Sequence, residues 1–285
     1  MRVYDSFKRF VLLGSLSLVL VATTVGGTAL RTGTATANPN HTTRSASTVD
    51  YALQFDGADD FVSIVDSEGD FDFEYAFTVE AWIKPSSLTG TSYKGIIRGT
   101  HWEPPGSGGS WVMFLGDWDL SNWGFSVCTA SCGAALSGSG GLIAGQWQHL
   151  AGTYDGSSIS IYQDGQLVDN TPQSDHVGFV NYVLLGIWDT SFNGLIDEVR
   201  LWNIARTQDD IQQSMHRTLS GNEPGLVGYW RLNEGSGQAV LDGTSHHNDG
   251  RLGALPGSDD QDPLWVLSDV PVHRLLYLPL VLRGQ

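Results

Sequence analysis

The chain is poor in cysteine, in basic residues and in sustained helical periodicity. It has 2 cysteines among 285 residues, and 15 Lys and Arg stand against 31 Asp and Glu, for a formal net charge of −16. Phosphate neutralisation requires clustered Lys and Arg, so we exclude nucleic acid and anionic membrane surfaces as partners. No Ser/His/Asp order and no Gly-rich phosphate loop is present, so the common catalytic motifs give no sign of an enzyme.

The two cysteines are Cys128 and Cys132. Their C-x-x-x-C spacing and the lack of a second pair argue against a redox or metal site. In an exported chain the two thiols oxidise, so we predict one disulfide that stiffens a single turn.

The remaining composition predicts an all-β fold. Val79, Ala81 and Ile83 alternate with polar or amphipathic neighbours, which is the period of a half-buried strand. Asp155-Gly156 and Asp164-Gly165 lie between such runs and mark hairpin turns. With 35 Gly and 10 Pro, we expect a two-sheet antiparallel β-sandwich or jelly roll. One short helix is predicted over residues 208–217, capped by Thr207 with Asp210 completing a capping box.

The two ends of the chain predict its location. Basic residues precede an apolar run from Phe10 to Val25, and Ala35-Thr-Ala37 offers a cleavage site, so residues 1–37 are interpreted as a secretory signal. An uncleaved membrane anchor is the alternative. Residues 38–48 are a polar linker, and the protein is expected to be secreted or on the cell surface. Residues 268–285 form a C-terminal tail, either an edge strand or a sorting and attachment segment.

Five segments carry a family resemblance. Phe192-Asn-Gly-Leu-Ile-Asp-Glu-Val-Arg-Leu-Trp202 resembles the signature of the LamG-like jelly-roll family (laminin G type 3) of the concanavalin A-like lectin/glucanase superfamily. In the expected order, similar motifs occupy the segments 52–62, 77–85, 146–168 and 225–252. The resemblance covers residues 49–267, implies a concanavalin A-like jelly roll, and points to a non-catalytic binding module. Carbohydrate and cell-surface protein are the two expected partners, and the oligomeric state stays open.

Calcium is the cofactor that both chemistry and resemblance favour. Ca²⁺ takes carboxylate and carbonyl oxygens, and some members of the superfamily bind it. The predicted ligands are Asp56 and Asp197, with Asp59 and Asp60 behind them. By alternation, Asp197 shares a face with Leu195, Val199 and Leu201, where a carboxylate needs a partner. The alternative is structural: Asp56 caps the Gly57 turn and Asp197 accepts backbone hydrogen bonds.

The chain has 10 tryptophans, and those in variable loop segments are the ones expected to meet a ligand. Flat aromatic faces stack on sugar rings while nearby polar groups bind hydroxyls. The predicted binding set is His101, Trp102, Asp117, Trp118, Asn122 and Trp188. Trp82, Trp147, Trp202 and Trp230 lie in strand motifs, so core packing is expected for them. A hydrophobic surface for another protein, as in an adhesion module, is the alternative use of the loop tryptophans.

A glycoside hydrolase is the minor alternative to a binding module. Glu68-Gly-Asp-Phe-Asp-Phe-Glu74 spaces carboxylates on alternate positions, similar to the E-x-D-x-E pattern of retaining glucanases. The run instead leads directly into the strand at Phe77, where Phe71 and Phe73 are expected to pack inward.

Overall fold

A computed structural model describes most of the chain after residue 48. The described residues are 49–66, 68–90, 92–100, 110–116, 120–128, 131–138, 140–175, 177, 180–254 and 257–272. The predicted signal segment, the polar linker and most of the predicted tail lie outside them. Within the described residues, no helix is long and apolar enough to cross a membrane.

Eight strands form the first sheet, called sheet A, in the spatial order β10-β9-β8-β3-β13-β1-β17, with β14 also pairing with β13. Their bounds are β1 Tyr51–Asp56, β3 Phe77–Pro85, β8 Gln148–Tyr154, β9 Ser158–Gln163, β10 Gln166–Pro172, β13 Asn193–Trp202, β14 Leu226–Trp230 and β17 Leu264–Leu267.

Nine strands form sheet B, in the order β15-β16-β2-β11-β4-β5-β6-β7, with the short β12 beside β4. Their bounds are β2 Val62–Val65, β4 Lys94–Thr100, β5 Ser110–Leu115, β6 Trp123–Cys128, β7 Cys132–Leu136, β11 Tyr182–Leu185, β12 Thr190–Ser191, β15 Ala239–Val240 and β16 Gly250–Leu252. All pairings except that of β12 with β4 are antiparallel, which confirms the predicted sandwich.

The hydrophobic core lies between the two sheets. Val79, Ala81 and Ile83 of β3 are at most 1% exposed and belong to it, as alternation predicted. Phe71 and Phe73 are also buried, and Phe73 stacks on Phe77 with ring centroids 5.1 Å apart. Burying such large apolar side chains stabilises the fold by about 1.5–3 kcal/mol each relative to exposure.

Turns and the disulfide close the strand pairs as expected. Asp164 and Gly165 both have positive φ, 49° and 73°, the backbone that a two-residue hairpin needs, and they join β9 to β10. Gly156 has φ 84° in the connection from β8 to β9. At the end of the β6–β7 hairpin, Cys128 and Cys132 form a disulfide.

The one helix in the described part of the chain, α1, spans Gln208–Ser214. Thr207 caps it, and the capping box with Asp210 is complete, as predicted. The helix ends earlier than the predicted residue 217. The Arg200 guanidinium on β13 donates to the carbonyls of Ser214 and Arg217, and so satisfies acceptors at and beyond the end of the helix.

A β-bulge in β13 corrects the predicted face of Asp197. Asp197 pairs with Trp82 of β3, but the next paired residue is Arg200, and Glu198 has φ 50°. The extra residue changes the phase of the alternation. Ile196, Val199 and Leu201 therefore face the core, whereas Asp197 faces outward from sheet A with Leu195.

α1 packs on this outer face of sheet A, above a buried cluster of charged residues. Glu80 is fully buried and accepts from Arg206 at 2.6 Å, with the imidazole of His149 at 3.3 Å and the guanidinium of Arg200 at 3.7 Å. Arg200 also pairs with Glu198 at 3.0 Å. Because Arg200 and Arg206 donate to carbonyls of residues 210–217, the cluster fixes α1 to the sheet.

The tryptophans of the strand motifs lie in different layers, and the predicted core packing holds only for Trp230, which lies between the sheets. Trp82 and Trp202 are each 3% exposed on the outer face of sheet A, where Trp202 lies 4.0 Å from the Arg206 guanidinium. Trp147 is half-buried and donates to Asp269.

Candidate functional site

One end of the sandwich gathers several of the predicted binding and metal residues. We call this end the rim and define it by the acidic turn 56–60, Tyr93, the residues 116 and 120–122 between β5 and β6, and the turn 186–191. Asp56 ends β1, and Asn122 and Trp188 lie in the other two connections. The other predicted binding residues, His101, Trp102, Asp117 and Trp118, lie outside the described residues.

Three aromatic rings pack together at the rim. The Trp188 ring centroid is 5.4 Å from that of Tyr93 and 5.3 Å from that of Phe114, and the Tyr93 and Phe114 rings meet edge to face at 5.4 Å. Phe114 is 4% exposed and forms the floor, whereas Tyr93 and Trp188 are half-buried. We call Tyr93 and Trp188 the aromatic platform, because each keeps part of its ring accessible.

The backbone around Trp188 fixes the platform. Gly186 has φ 84° and its carbonyl accepts from Phe192 N at 2.8 Å, while Thr190 donates through both N and Oγ1 to the Tyr93 carbonyl. The turn lies directly against Gly95 of β4. A Cβ on Gly95 would come within 2.5 Å of the Ile187 backbone and 2.6 Å of the Trp188 Cβ, so only glycine allows this approach.

The acidic turn lies beside the platform. The Asp56 carboxylate accepts from Ala58 N at 2.7 Å, and the Asp60 carboxylate accepts from Asp56 N at 2.7 Å. Ser191 ends the turn 186–191 that holds Trp188, and its hydroxyl donates to the Ala58 carbonyl at 3.0 Å. The two turns are therefore joined by a direct hydrogen bond.

Burial and crowding of negative charge raise the pKa values of this turn. Asp60 is 4% exposed. Burial, with smaller contributions from the negative charges of Asp56 and Asp59, raises its pKa to about 6. Burial also raises the pKa of Asp59, followed by the charges of Asp260 and Asp56. A nearby cation, or hydrogen-bond donors from a ligand, would stabilise the ionised form of such mutually repelling carboxylates.

Asn122 contributes mainly to the shape of the rim. It is 7% exposed, and its carbonyl accepts from Gly116 N at 3.1 Å, which closes the β5–β6 hairpin. The next residue, Trp123, is fully buried in the core and anchors the start of β6.

Asp197 lies away from the rim, on the outer face of sheet A. Its carboxylate accepts from Glu198 N at 2.8 Å and from Ser268 Oγ at 2.6 Å. A small cavity beside it is also lined by Asp50, Glu198 and Arg231. Burial raises the pKa of Asp197 well above its usual range, and the charges of Glu198 and Asp50 act in the same direction.

The two predicted metal ligands are thus in separate environments. Asp56 pairs with Asn193, four residues before Asp197 on β13. Among the described residues, no group of three His, Cys, Asp or Glu side chains is arranged to hold a metal ion. Calcium at Asp197 stays a prediction, and of its two hydrogen bonds only the one from Glu198 N is the backbone bond of the structural alternative.

The acidic run considered for hydrolysis has structural partners. Asp66 accepts from the backbone N–H groups of four residues, 68–71, and so organises the turn that leads to the buried Phe71. Asp70 contacts His246 Nδ1 at 2.6 Å and accepts from Asn248 at 3.0 Å. Of the acids in the run itself, Asp70 is thus held by side chains of a distant turn as part of a folded connection.

Sequence reasoning missed Tyr93 and Phe114. Tyr93 directly precedes β4, and Phe114 lies within the apolar run of β5, so neither stood out as a loop aromatic. The available signal was Gly95, two residues after Tyr93, because glycine inside a strand marks a close approach of another backbone.

Two antiparallel sheets packed face to face, with ordered turns at the rim, define a concanavalin A-like β-sandwich. The family model Laminin_G_3, of the concanavalin A-like lectin/glucanases superfamily, matches residues 56–212, and the chain belongs to this family. The resemblance seen in the sequence is thereby confirmed.

Three relatives show how far the similarity extends. Mouse pappalysin-1 is 28% identical over 169 residues, which are 49% of this chain and 10% of pappalysin-1. A candidate carbohydrate-binding protein from Bacteroides ovatus has a similar structure, with a TM-score of 0.59 and 19% identity over 79% of this chain and 62% of that one. Domains LG4-5 of the mouse laminin alpha1 chain give a TM-score of 0.43 and 15% identity over 54% of this chain and 41% of theirs. The chain thus spans about a tenth of pappalysin-1 and under two thirds of the Bacteroides protein.

Proposed function

We propose that this protein is an exported, non-catalytic module that binds carbohydrate at the rim. The single observation that carries the proposal is the aromatic platform: Tyr93 and Trp188 are half-buried over the buried Phe114, beside the carboxylates of the acidic turn. Sugar sites combine aromatic surface with a few convergent polar groups, and the rim offers two half-buried rings, tilted by 47° to each other, beside carboxylates.

In this proposal the two kinds of residue have separate tasks. A sugar ring stacks on Trp188 and Tyr93, which are already held in place, so little side-chain entropy is lost on binding. Carboxylate oxygens of Asp56 and Asp59 accept hydrogen bonds from sugar hydroxyls. The Gly95 contact keeps Trp188 in position, so the platform is preorganised.

Calcium is proposed at the acidic turn. Asp56, Asp59 and Asp60 offer the hard oxygen ligands that Ca²⁺ prefers, and burial, followed by neighbouring negative charge, raises the pKa values of Asp59 and Asp60. The three carboxylates do not form a metal-holding group among the described residues, so the turn would have to rearrange around the ion. When bound, the ion would neutralise this charge and supply a positive site for sugar hydroxyls. Further ligands would come from backbone carbonyls and water, which Ca²⁺ commonly uses.

Export is proposed from the amino-terminal sequence and agrees with the disulfide between Cys128 and Cys132, because disulfides persist in oxidising compartments. Determining the amino terminus of the protein recovered outside its host cells tests this directly. We expect it near residue 38, and an intact residue 1 on membrane-bound protein would support the anchor instead.

The binding proposal is tested by titrating the purified protein with a panel of polysaccharides and following tryptophan fluorescence, first with calcium and then with EDTA. We expect saturable binding that Trp188→Ala weakens at least about tenfold, a loss of about 1.4 kcal/mol. Trp147→Ala is the matched control, because Trp147 is also half-buried but lies on sheet A.

The outcomes separate the parts of the proposal. Binding that survives EDTA would remove calcium and keep the sugar site. If the folded protein binds no polysaccharide of the panel, the carbohydrate proposal is wrong and the protein-adhesion alternative gains support.

A further inference from the structure

Four consecutive residues, 190–193, lie between the two parts of the candidate site, and we call them the connector. They include the short strand β12, Thr190–Ser191, and the first residue of β13, Asn193. Thr190 donates through its backbone N and its Oγ1 to the carbonyl of Tyr93, at 3.1 Å and 2.7 Å. The connector is therefore bonded directly to the backbone that carries one ring of the aromatic platform.

The other polar residues of the connector hold the acidic turn. The Ser191 hydroxyl donates to the Ala58 carbonyl at 3.0 Å, and Asn193 Nδ2 donates to the Asp56 carbonyl at 2.7 Å. Both bonds use backbone carbonyls of the turn and leave its carboxylates out of the connection. Within four residues, the chain thus bonds to both the aromatic platform and the acidic turn.

Close packing reinforces these bonds. Gly57 has φ 84°, and a Cβ on it would lie 2.8 Å from the Cβ of Asn193, so the backbone of the acidic turn lies directly against the connector. Phe192 is fully buried, and its ring centroid is 6.4 Å from that of Phe55 on β1. Its backbone N also donates to the Gly186 carbonyl at 2.8 Å. The connector is thus anchored in the core between its two sets of contacts.

Ser191 is the point where the two parts of the site are closest to a common support. It is 2% exposed, and its own carbonyl accepts from Lys94 Nζ at 3.2 Å. In the parallel pairing of β12 with β4, Ser191 lies opposite Gly95, whose lack of a Cβ admits the backbone at Trp188. A hydrogen bond at a buried position is stronger than one in water, so it holds a defined distance.

We propose that the connector sets the spacing between the aromatic platform and the carboxylates of the acidic turn, with Ser191 and Asn193 as the positioning residues that determine which polysaccharide fits. This inference rests on the proposed function and adds the origin of its selectivity. A sugar stacked on Trp188 brings its hydroxyls to the carboxylates only if the spacing matches its ring. Polysaccharides differ in ring size and in the orientation of their hydroxyls, so a fixed spacing favours some of them over others.

Small displacements are enough for this effect. Binding groups must be held to within about 0.5 Å of the productive geometry by the residues that support them. Without the two side-chain bonds, the repulsion among the carboxylates of the acidic turn acts against packing alone. The turn then moves relative to the platform, although both still exist, and ligands that fitted the original spacing lose most.

The test compares Ser191→Ala, Asn193→Ala and the double variant S191A/N193A with the wild type. Each folded protein is titrated with laminarin, xylan, arabinan and galactan, and tryptophan fluorescence gives the dissociation constants. The double variant should lose at least about fivefold in affinity for the polysaccharide that the wild type binds most tightly. Its preference for that polysaccharide over the next should fall at least about threefold, because specificity is a difference of affinities that the spacing creates.

Ser126→Ala is the matched control. The Ser126 hydroxyl is half-buried on β6 and donates to the Gly133 carbonyl at 2.9 Å, so its loss removes a similar bond outside the rim. Affinity and preference should both stay unchanged. A further readout needs no ligand: in protein labelled with 5-fluorotryptophan, Asn193→Ala should shift the fluorine resonance of Trp188, although it removes a bond to the acidic turn only. Ser126→Ala should leave that resonance in place.

Failure of the inference and failure of the proposed function give different results. If the wild type binds polysaccharide in a manner that depends on Trp188, but S191A/N193A keeps the same preference, the inference is overturned and the proposed function stands. An equal loss of affinity for every polysaccharide, or an unchanged Trp188 resonance in Asn193→Ala, also overturns the inference alone. If no polysaccharide binds to the folded wild type, both are overturned.

Discussion

The outer faces of the two sheets have opposite characters. On sheet A, α1 and residues 268–270 cover the strands, and the charged residues beneath them are paired with one another. On sheet B, the strands carry basic residues without acidic ones, and the half-buried rings of Tyr93 and Trp188 lie at the rim. Charge on sheet A therefore serves to attach a helix, whereas the strands of sheet B carry no carboxylate of their own.

The largest expected effect comes from removing Glu80. Glu80→Ala leaves Arg200 and Arg206 buried without their shared carboxylate, so we expect a loss of about 3–5 kcal/mol in the free energy of unfolding. Urea denaturation followed by circular dichroism measures it. The control, Glu68→Gln, changes an exposed acid and should alter stability by less than about 0.5 kcal/mol. Equal losses in both variants would contradict the structural role of the cluster.

Acid should also destabilise the protein through the charged cluster around Glu80 on sheet A. Burial raises the pKa of Glu80, but the hydrogen bond from His149 and the charges of Arg206 and Arg200 outweigh it and hold the pKa at about 2, below the ordinary 4.5. Burial lowers the pKa of His149 below 6.5. Both groups bind a proton more readily when unfolded, so the stability that these two groups contribute is complete above about pH 6.5 and declines as pH falls toward 2.

The expected contribution of Glu80 to that decline is about 3 kcal/mol. Denaturation midpoints measured from pH 7 to pH 2 test this, with Glu80→Gln as the comparison. The variant should be less stable at pH 7 and show a smaller dependence on pH. A variant as sensitive to acid as the wild type would show that other groups carry the effect.

A smaller effect on stability, combined with a loss of binding, is expected for Gly95→Ala. The new Cβ would meet the Ile187 backbone at 2.5 Å, so the turn carrying Trp188 must shift, at a cost of about 1–3 kcal/mol. Thermal unfolding and polysaccharide titration measure the two effects. Gly138→Ala serves as the control for a glycine with nothing within 4 Å, although its φ of 68° adds some backbone strain. Unchanged affinity in Gly95→Ala would show that the position of Trp188 does not matter for the ligand.

Sequence patterns predicted the parts of the fold that follow from local rules. Alternation placed Val79, Ala81 and Ile83 in the core, and the capping box placed the start of α1 at Thr207. The predicted face of Asp197 was wrong because Glu198 adopts a positive φ in a β-bulge, and no residue in the motif indicates that bulge. A glutamate in the left-handed region is uncommon, so alternation was the reasonable expectation.

The candidate site was less predictable, because it is assembled from distant segments. Trp188 was identified from its loop, but its contacts with Tyr93 and Phe114 depend on how β4, β5 and the β11–β13 turn meet.

Fluorine labelling of the tryptophans perturbs the protein least and tests most directly where the ligand binds. The ten tryptophans can be labelled with 5-fluorotryptophan and followed by fluorine NMR while polysaccharides are added, with resonances assigned by single Trp→Phe variants. The proposed rim predicts that the Trp188 resonance shifts with ligand concentration while those of Trp82 and Trp202, beneath α1, stay unchanged. A shift confined to Trp82, Trp147 or Trp202 would place the ligand on sheet A and contradict the division of roles between the two faces.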